Sequence, residues 1–220
     1  MESFRIADLL HPFLGLSPGG GALLPQPTLS TISIYLDMLL RWNARMNLTS
    51  IRDPEEIITR HFGESLFAAQ HLLSCTDELD VIDVGSGAGF PGLPIKIWAP
   101  DIHMTLIESN QKKATFLREL IRTLRLSKTE VFAGRAEVFT GEADVVTLRA
   151  VDNFEDAVFA AIKLVKSGGK IALLISKDQF ARSKSVPSPP LTWLEPELMP
   201  LSESRILSVG IVNRVNTESN

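Results

Sequence analysis

The apolar run Val81-Ile82-Asp83-Val84 leads straight into Gly85-Ser86-Gly87-Ala88-Gly89-Phe90-Pro91-Gly92. This pattern predicts a buried strand that ends in a glycine-dense turn and opens a helix. Glycine tolerates positive φ and lets a ligand approach the backbone, while the first N–H groups of a helix are free donors. Gly87 to Gly92 satisfy G-x-G-x-x-G, and Glu108 is the acid about 20 residues on that can bind ribose hydroxyls. The chemistry is that of holding a nucleotide-type cofactor. Asp83 narrows the choice, because a carboxylate at the strand end repels the pyrophosphate of a dinucleotide. S-adenosylmethionine has no phosphate and carries a sulfonium and an ammonium. An acid beside the turn suits those charges and can contact the amino group directly or through water.

The elements that must position this turn follow from periodicity. Short β-type runs are predicted at Asp80 to Val84, Met104 to Ile107, Glu130 to Phe132, Val145 to Leu148 and Lys170 to Ile175, alternating with helices. That alternation signals βαβ units and a parallel sheet. The helix after Glu108 carries Phe116, Leu117, Leu120, Ile121 and Leu124 on one side and Arg118, Arg122 and Arg125 on a neighbouring stripe. A further helix spans about Phe154 to Val165, with Ser167-Gly168-Gly169 as its stop. LTWLEPELM and RILSVGIV suit a closing pair of strands. Upstream, a helix begins near Thr28 with Ile32, Tyr35, Leu36, Leu39 and Leu40 on one face, after a Gly/Pro-rich stretch at 15–27. A second opens at Asp53-Pro54, with Glu55 and Glu56 in its first turn. Residues 1–78 thus read as a helical region packed on a core formed by 79–220.

Composition excludes several classes. With 45% hydrophobic and 22% charged residues the chain is neither disordered nor fibrous. No apolar run reaches the roughly 20 residues that cross a bilayer, and the start MESFRIADLL lacks the pattern of a signal peptide, so a cytoplasmic protein is expected. Cys75 is the lone cysteine and cannot form an intrachain disulfide. His11, His61, His71 and His103 show no ligand spacing, so no metal site is expected. Net charge is -4, so a polyanion needs a local basic face. Asn110 to Lys128 supplies one candidate, with six basic residues and the single acid Glu119, although charge alone better fits a solvated helix face.

The wider set of motifs carries a resemblance. Trp42-Asn43, Asn47-Leu48-Thr49-Ser50-Ile51-Arg52-Asp53, Arg60-His61 and Ser65 are followed by DVGSGAGFPGLPIKI, LIES, KKATFLREL, GRAEVF and LRAV in order. Over about residues 36 to 175 the chain resembles the RsmG (GidB) family of small-subunit (16S) rRNA guanine-N7 methyltransferases. The resemblance implies a class I, Rossmann-like methyltransferase fold: a mostly parallel seven-strand sheet, its last strand antiparallel, flanked by helices and joined by a helical N-terminal layer. It implies S-adenosylmethionine as cofactor and small-subunit rRNA or the ribosomal subunit as partner. Carried over by position, the cofactor contacts fall on Gly85, Phe90, Ala136, Glu137 and Arg149, beside Asp83 and Gly87 at the turn and Glu108 near the end of the next strand. Three places depart from the family's usual pattern. Glu64 stands where many members have Asp, Lys177-Asp178 replaces a usual Lys-Gly pair, and the tail after Phe180 matches loosely.

Guanine N7 bears an in-plane lone pair, so methyl transfer to it needs orientation and electrostatic tuning and no general base. On this reading Arg149 and the Asn47 to Arg52 loop line the catalytic mouth, while Arg60, Lys112, Lys113, Arg118 and Arg122 meet RNA phosphates. His61, on the apolar face of its helix, fits a hydrogen-bonded core residue better than a catalytic one. Two other readings stay open: a nicotinamide oxidoreductase, from G-x-G-x-x-G and Glu108, and a non-catalytic RNA-binding protein, from the basic helix.

Overall fold

The computed structural model describes residues 1–14, 24–73, 78–151, 153–186 and 190–213. Most of the Gly/Pro-rich stretch 15–27, Cys75 and part of the 182–190 loop lie outside the described residues. The helical layer comprises α1 (Ser3–Leu10), α2 (Gln26–Met46), α3 (Pro54–Ile57), a π-helical stretch (Ile58–Gly63) and α4 (Glu64–Leu72). Asp53 caps α3 by accepting from the Glu56 N–H at 2.8 Å, with Pro54 behind it at the first helical position. Asn47 ends α2 in the left-handed region, φ 50°, and so bends the chain into the 48–51 segment.

The remainder alternates as the apolar runs predict: β1 (Asp80–Val84), α5 (Gly92–Trp98), β2 (His103–Ile107), α6 (Gln111–Leu124), β3 (Thr129–Phe132), β4 (Ala143–Arg149), α7 (Phe154–Lys163), β5 (Val165–Ser176), α8 (Lys177–Ser183), β6 (Leu191–Trp193), β7 (Glu197–Leu198) and β8 (Arg205–Val212). The sheet runs β3-β2-β1-β4-β5-β8-β6, with β7 paired on β8 off this path. The pairs from β3 across to β5 are parallel and β8 is antiparallel to β5. The expected seven strands therefore become eight. The addition is the two-residue β7, folded onto β8 by a turn in which Ser202 Oγ accepts the Arg205 N–H at 3.0 Å.

Ser167-Gly168-Gly169 does not stop a helix. α7 ends at Lys163, with the Leu164 N–H closing its last turn, and the glycines sit within β5. Between Ala143↔Val165 and Val145↔Lys170 the β4–β5 register shifts, and Gly168 at φ +78° absorbs the bulge.

Helices cover both faces of the sheet. On one face α1, α2 and α4 to α6 share a cluster with the sheet that includes Ile6, Leu10, Ile32, Leu36, Leu66, Ile95, Leu106 and Phe116. On the other, Val158 and Ile162 of α7 pack on Ile82, Val146, Leu148, Ile171 and Leu173. The strand order reverses direction between β1 and β4, the switch point where open α/β sheets hold ligands beyond the strand ends.

Candidate functional site

A cleft of about 810 Å³ opens at that switch point. Its floor is the glycine turn. Gly85, Gly87 and Gly89 have φ of 69°, 57° and 97°, conformations that side-chain-bearing residues avoid. A Cβ on Gly87 would meet only Gly85 O at 3.7 Å, so the space before that residue is open to a ligand. The Gly85 and Ser86 N–H groups anchor the turn on Ile107 O of β2 at 2.9 and 3.0 Å. Glu108, 7% exposed, accepts from Gly87 N at 2.8 Å and Asn110 N at 2.7 Å, so one carboxylate ties turn to rim.

Asp83 does not reach the cleft. It is fully buried, with Thr147 Oγ1 donating to Oδ1 at 2.7 Å and the Gly92 N–H donating to Oδ2 at 3.2 Å. Strand alternation turns its side chain to the β4 and α5 side, behind the turn, and a Cβ at Gly92 would sit 2.8 Å from it. Burial pushes its pKa up to about 6, against the hydrogen bonds from Thr147, Ser86 and Gly92, with the Glu108 charge adding to the rise. The direct contact with a ligand amino group expected from its position is replaced by a brace across β1, β4 and α5.

The helical layer supplies the opposite wall. Tyr35 of α2 is fully buried and donates to Ala88 O of the turn at 2.6 Å. Burial, then the Asp83 charge, raises its phenol well above the ordinary range. Phe90 stacks between Tyr35 (5.2 Å) and His61 (4.7 Å), with Phe62 edge-on at 5.1 Å. Thr49 is fixed by Asn43, whose side chain bonds both its N–H and its C=O at 3.0 Å, and Thr49 Oγ1 lies 2.8 Å from His61 Nε2. Burial, then the charges of Arg149 and Arg60, pushes His61 down to about 3, so its ring is neutral.

Arg149, at the end of β4, completes the site. Its Nη2 donates to Arg60 O at 2.8 Å and to Glu64 Oε2 at 3.0 Å. The π-helical register withdraws Arg60 O from the usual α-helical pairing and leaves it for the guanidinium. Burial lowers the Arg149 pKa and the Glu64 charge opposes that fall. Glu64 is 2% exposed, and its other oxygen accepts from Arg205 Nε of β8 at 2.6 Å.

Of the residues singled out by sequence, Gly85, Gly87, Phe90, Glu108, Ala136, Glu137, Arg149, Arg60 and Lys113 line this one cleft. Asn47, Arg52, Lys112, Arg118 and Arg122 lie exposed outside it. The Asn47 to Arg52 loop meets the cleft through Leu48, Thr49, Ser50 and Ile51, whereas sequence reasoning did not find Tyr35 or the Glu64–Arg205 link as parts of the site. Asn110 was findable: an Asn before an apolar-periodic run signals a cap, and its Oδ1 accepts from Lys112 and Lys113 N–H at 3.0 and 3.2 Å. Among the described residues no group of three His, Cys, Asp or Glu side chains is placed to hold a metal, and no helix is long and apolar enough to cross a membrane.

The strand order and the cleft at β1/β4 define the class. The fold is that of the Rossmann-like methyltransferases, as in the precorrin-6y C5,15-methyltransferase from Geobacter metallireducens GS-15, with TM-score 0.52 and 14% identity over 68% of this chain and 87% of that one. A family model, rRNA small subunit methyltransferase G, matches residues 28–186. The chain is 38% identical over 169 residues to the ribosomal RNA small subunit methyltransferase G of Xanthomonas campestris pv. campestris (strain B100), covering 76% of each. It is 43% identical over 168 residues to the protein of that name from Roseiflexus castenholzii, covering 73% of this chain and 70% of the relative. The chain belongs to this GidB family of methyltransferases.

Proposed function

We propose that the protein transfers a methyl group from S-adenosylmethionine to N7 of a guanine in small-subunit ribosomal RNA. The observation that carries this reading is the open, positive-φ glycine turn with Glu108 bonded to it at the edge of one cleft, in a chain of this family. The residues fit the cofactor. Gly87 leaves open space before the turn, Gly85 lines the cleft beside it, Glu108 stands at the ribose position after β2, Ala136 and Glu137 border the adenine side after β3, and Phe90 shapes the pocket. Buried Asp83 keeps the turn rigid and adds an acid beneath it. When bound, the cofactor supplies a methyl on a sulfonium: the N7 lone pair forms the N–C bond while the C–S electron pair passes to sulfur.

No proton need leave N7, which suits a cleft whose histidine is pushed down to about 3, a poor base, and is tied to Thr49. Arg149, held by Glu64 and Arg60 O, orients the reacting groups at the end of β4. On this reading the exposed Asn47, Arg52, Lys112, Arg118 and Arg122 meet RNA outside the cleft, and Arg60 and Lys113, which line it, meet RNA at the mouth. The helical region 1–78 serves as one wall of the site and the core 79–220 as the other. The test is transfer of labelled methyl to small-subunit rRNA, or to subunits lacking the modification, with the product base identified by mass spectrometry. Labelled 7-methylguanine at one position is expected. Cofactor binding without labelled RNA overturns the acceptor, and no cofactor binding overturns the reading.

A further inference from the structure

Three residues on the helical-layer and β4 side of the cleft carry buried nitrogen atoms with no hydrogen-bond partner among the described residues: Arg60 Nε, His61 Nδ1 and Arg149 Nη1. The other two buried atoms in that condition, Trp98 Nε1 and Ser208 Oγ, belong to residues that do not line the cleft. Native structures pair nearly all their buried polar atoms, so three such atoms in neighbouring residues point to an incoming group. The residues are contiguous, since Arg60 and His61 adjoin in sequence and Arg149 Nη2 bonds Arg60 O at 2.8 Å.

All three atoms are donors. Both arginine nitrogens can only donate. For His61, the tautomer follows from Thr49. Thr49 Oγ1 already accepts the Ile51 N–H at 3.2 Å and lies 2.8 Å from His61 Nε2. Its hydroxyl proton is satisfied by pointing to Nε2, which leaves the imidazole proton on Nδ1. The nearby carboxylate of Glu64 bonds Arg149 Nη2 and Arg205 Nε and none of the three atoms. The set therefore calls for an acceptor oxygen.

We propose that Arg60, His61 and Arg149 form a donor-only pocket that takes O6 of the target guanine and so selects guanine over adenine. The inference rests on the guanine-N7 reading and deepens it. O6 and N7 lie side by side on the major-groove edge of guanine, whereas adenine presents an N6 amino donor in place of O6. Donors facing that amino group are left unpaired, and a site built to hydrogen-bond a substrate rejects the analogue that lacks the partner. Position agrees with this role. Glu108 and the 136–137 turn lie over β2 and β3, on one side of β1, while the three donors gather over β4 on the other.

The test uses small-subunit rRNA carrying guanine, inosine, 2,6-diaminopurine or adenine at the methylated position. Inosine keeps O6 and N7 and lacks the 2-amino group; diaminopurine keeps N7 and the 2-amino group and lacks O6. The wild type is expected to methylate inosine within a fewfold of guanine and diaminopurine on the order of 100-fold more slowly. His61→Ala and the conservative Arg60→Lys, which keeps charge and loses Nε, should each compress that ratio at least about tenfold. Arg60→Lys decides if His61→Ala does not fold, because the Arg60 side chain is 38% exposed.

The cofactor's own carboxylate is the other acceptor oxygen that could enter, and calorimetry separates it. If it is the ligand, His61→Ala weakens S-adenosylhomocysteine and spares 5′-methylthioadenosine, which lacks the amino-acid group, and the proposal is overturned. Equal rates on guanine and diaminopurine overturn it while methyl transfer to guanine stands. A wild type that methylates no guanine overturns both readings.

Discussion

Replacing Glu64 by glutamine removes the one negative charge that separates two arginines. The Glu64 and Arg149 side chains are 3% and 10% exposed, so water does little to screen them. Breaking such a buried pair by neutralising one partner costs about 3–5 kcal/mol, because the remaining charge stays buried. Glutamine keeps the shape of the side chain and can accept from one guanidinium, yet its amide then aims a donor at the other. Arg205, 31% exposed, can turn toward solvent and recover part of the loss. The lower end, about 3 kcal/mol, is therefore expected, which moves a urea midpoint down by roughly 1–2 M at the slopes usual for domains of this size. Glu64→Asp retains the charge on a shorter arm and should lose less than half as much. Urea unfolding at neutral pH measures both. A Glu64→Gln midpoint within about 0.3 M of wild type would show that the bridge adds nothing net and refute the reasoning.

Three further outcomes are expected. His61 is held down to about 3 against its usual 6.5, so it contributes stability above pH 6.5 that is lost as the pH falls toward 3. Relative to His61→Gln, the wild type should lose about 2 kcal/mol between pH 7.5 and pH 5, read by denaturant unfolding at each pH. Tyr35→Phe leaves Ala88 O without its donor and should cost about 1–3 kcal/mol, with weaker cofactor binding by calorimetry as the turn loosens. Arg118→Ala should weaken RNA binding and lower the magnitude of its log K against log salt slope by about one; an unchanged slope removes Arg118 from the footprint.

The parts of the fold legible in the sequence are those set by local rules. The β1 run, the glycine turn and the β-type runs around it declare themselves through alternation and through φ values that glycine adopts most readily. Gly168-Gly169 misled because the same residues that end helices also accommodate bulges, and only the partner strand decides between them. α8 carried a readable signal, a capping box in which Ser176 Oγ accepts the Gln179 N–H and the Gln179 side chain accepts the Ser176 N–H. The bridge from Glu64 to Arg149 and Arg205 spans three distant segments, and nothing in the spacing of those residues announces it. Asp83 was placed correctly at the strand end, yet the partner that its side chain meets there, Thr147, lies 64 residues away and comes only with the β1–β4 pairing.

The tie between Glu64 and Arg205, separated by 141 positions, sets an order of events. A chain made from its N-terminus can form the helical layer, the glycine turn and β4 while β8 is still unsynthesised. Until Arg205 arrives and β8 inserts beside β5, Glu64 has one arginine to neutralise and holds Arg149 as a closed ion pair. Arrival of the second guanidinium restores a net positive charge to the group. The net charge of the group behind the cleft thus depends on a guanidinium contributed by β8, far along the chain from the helix that carries Glu64.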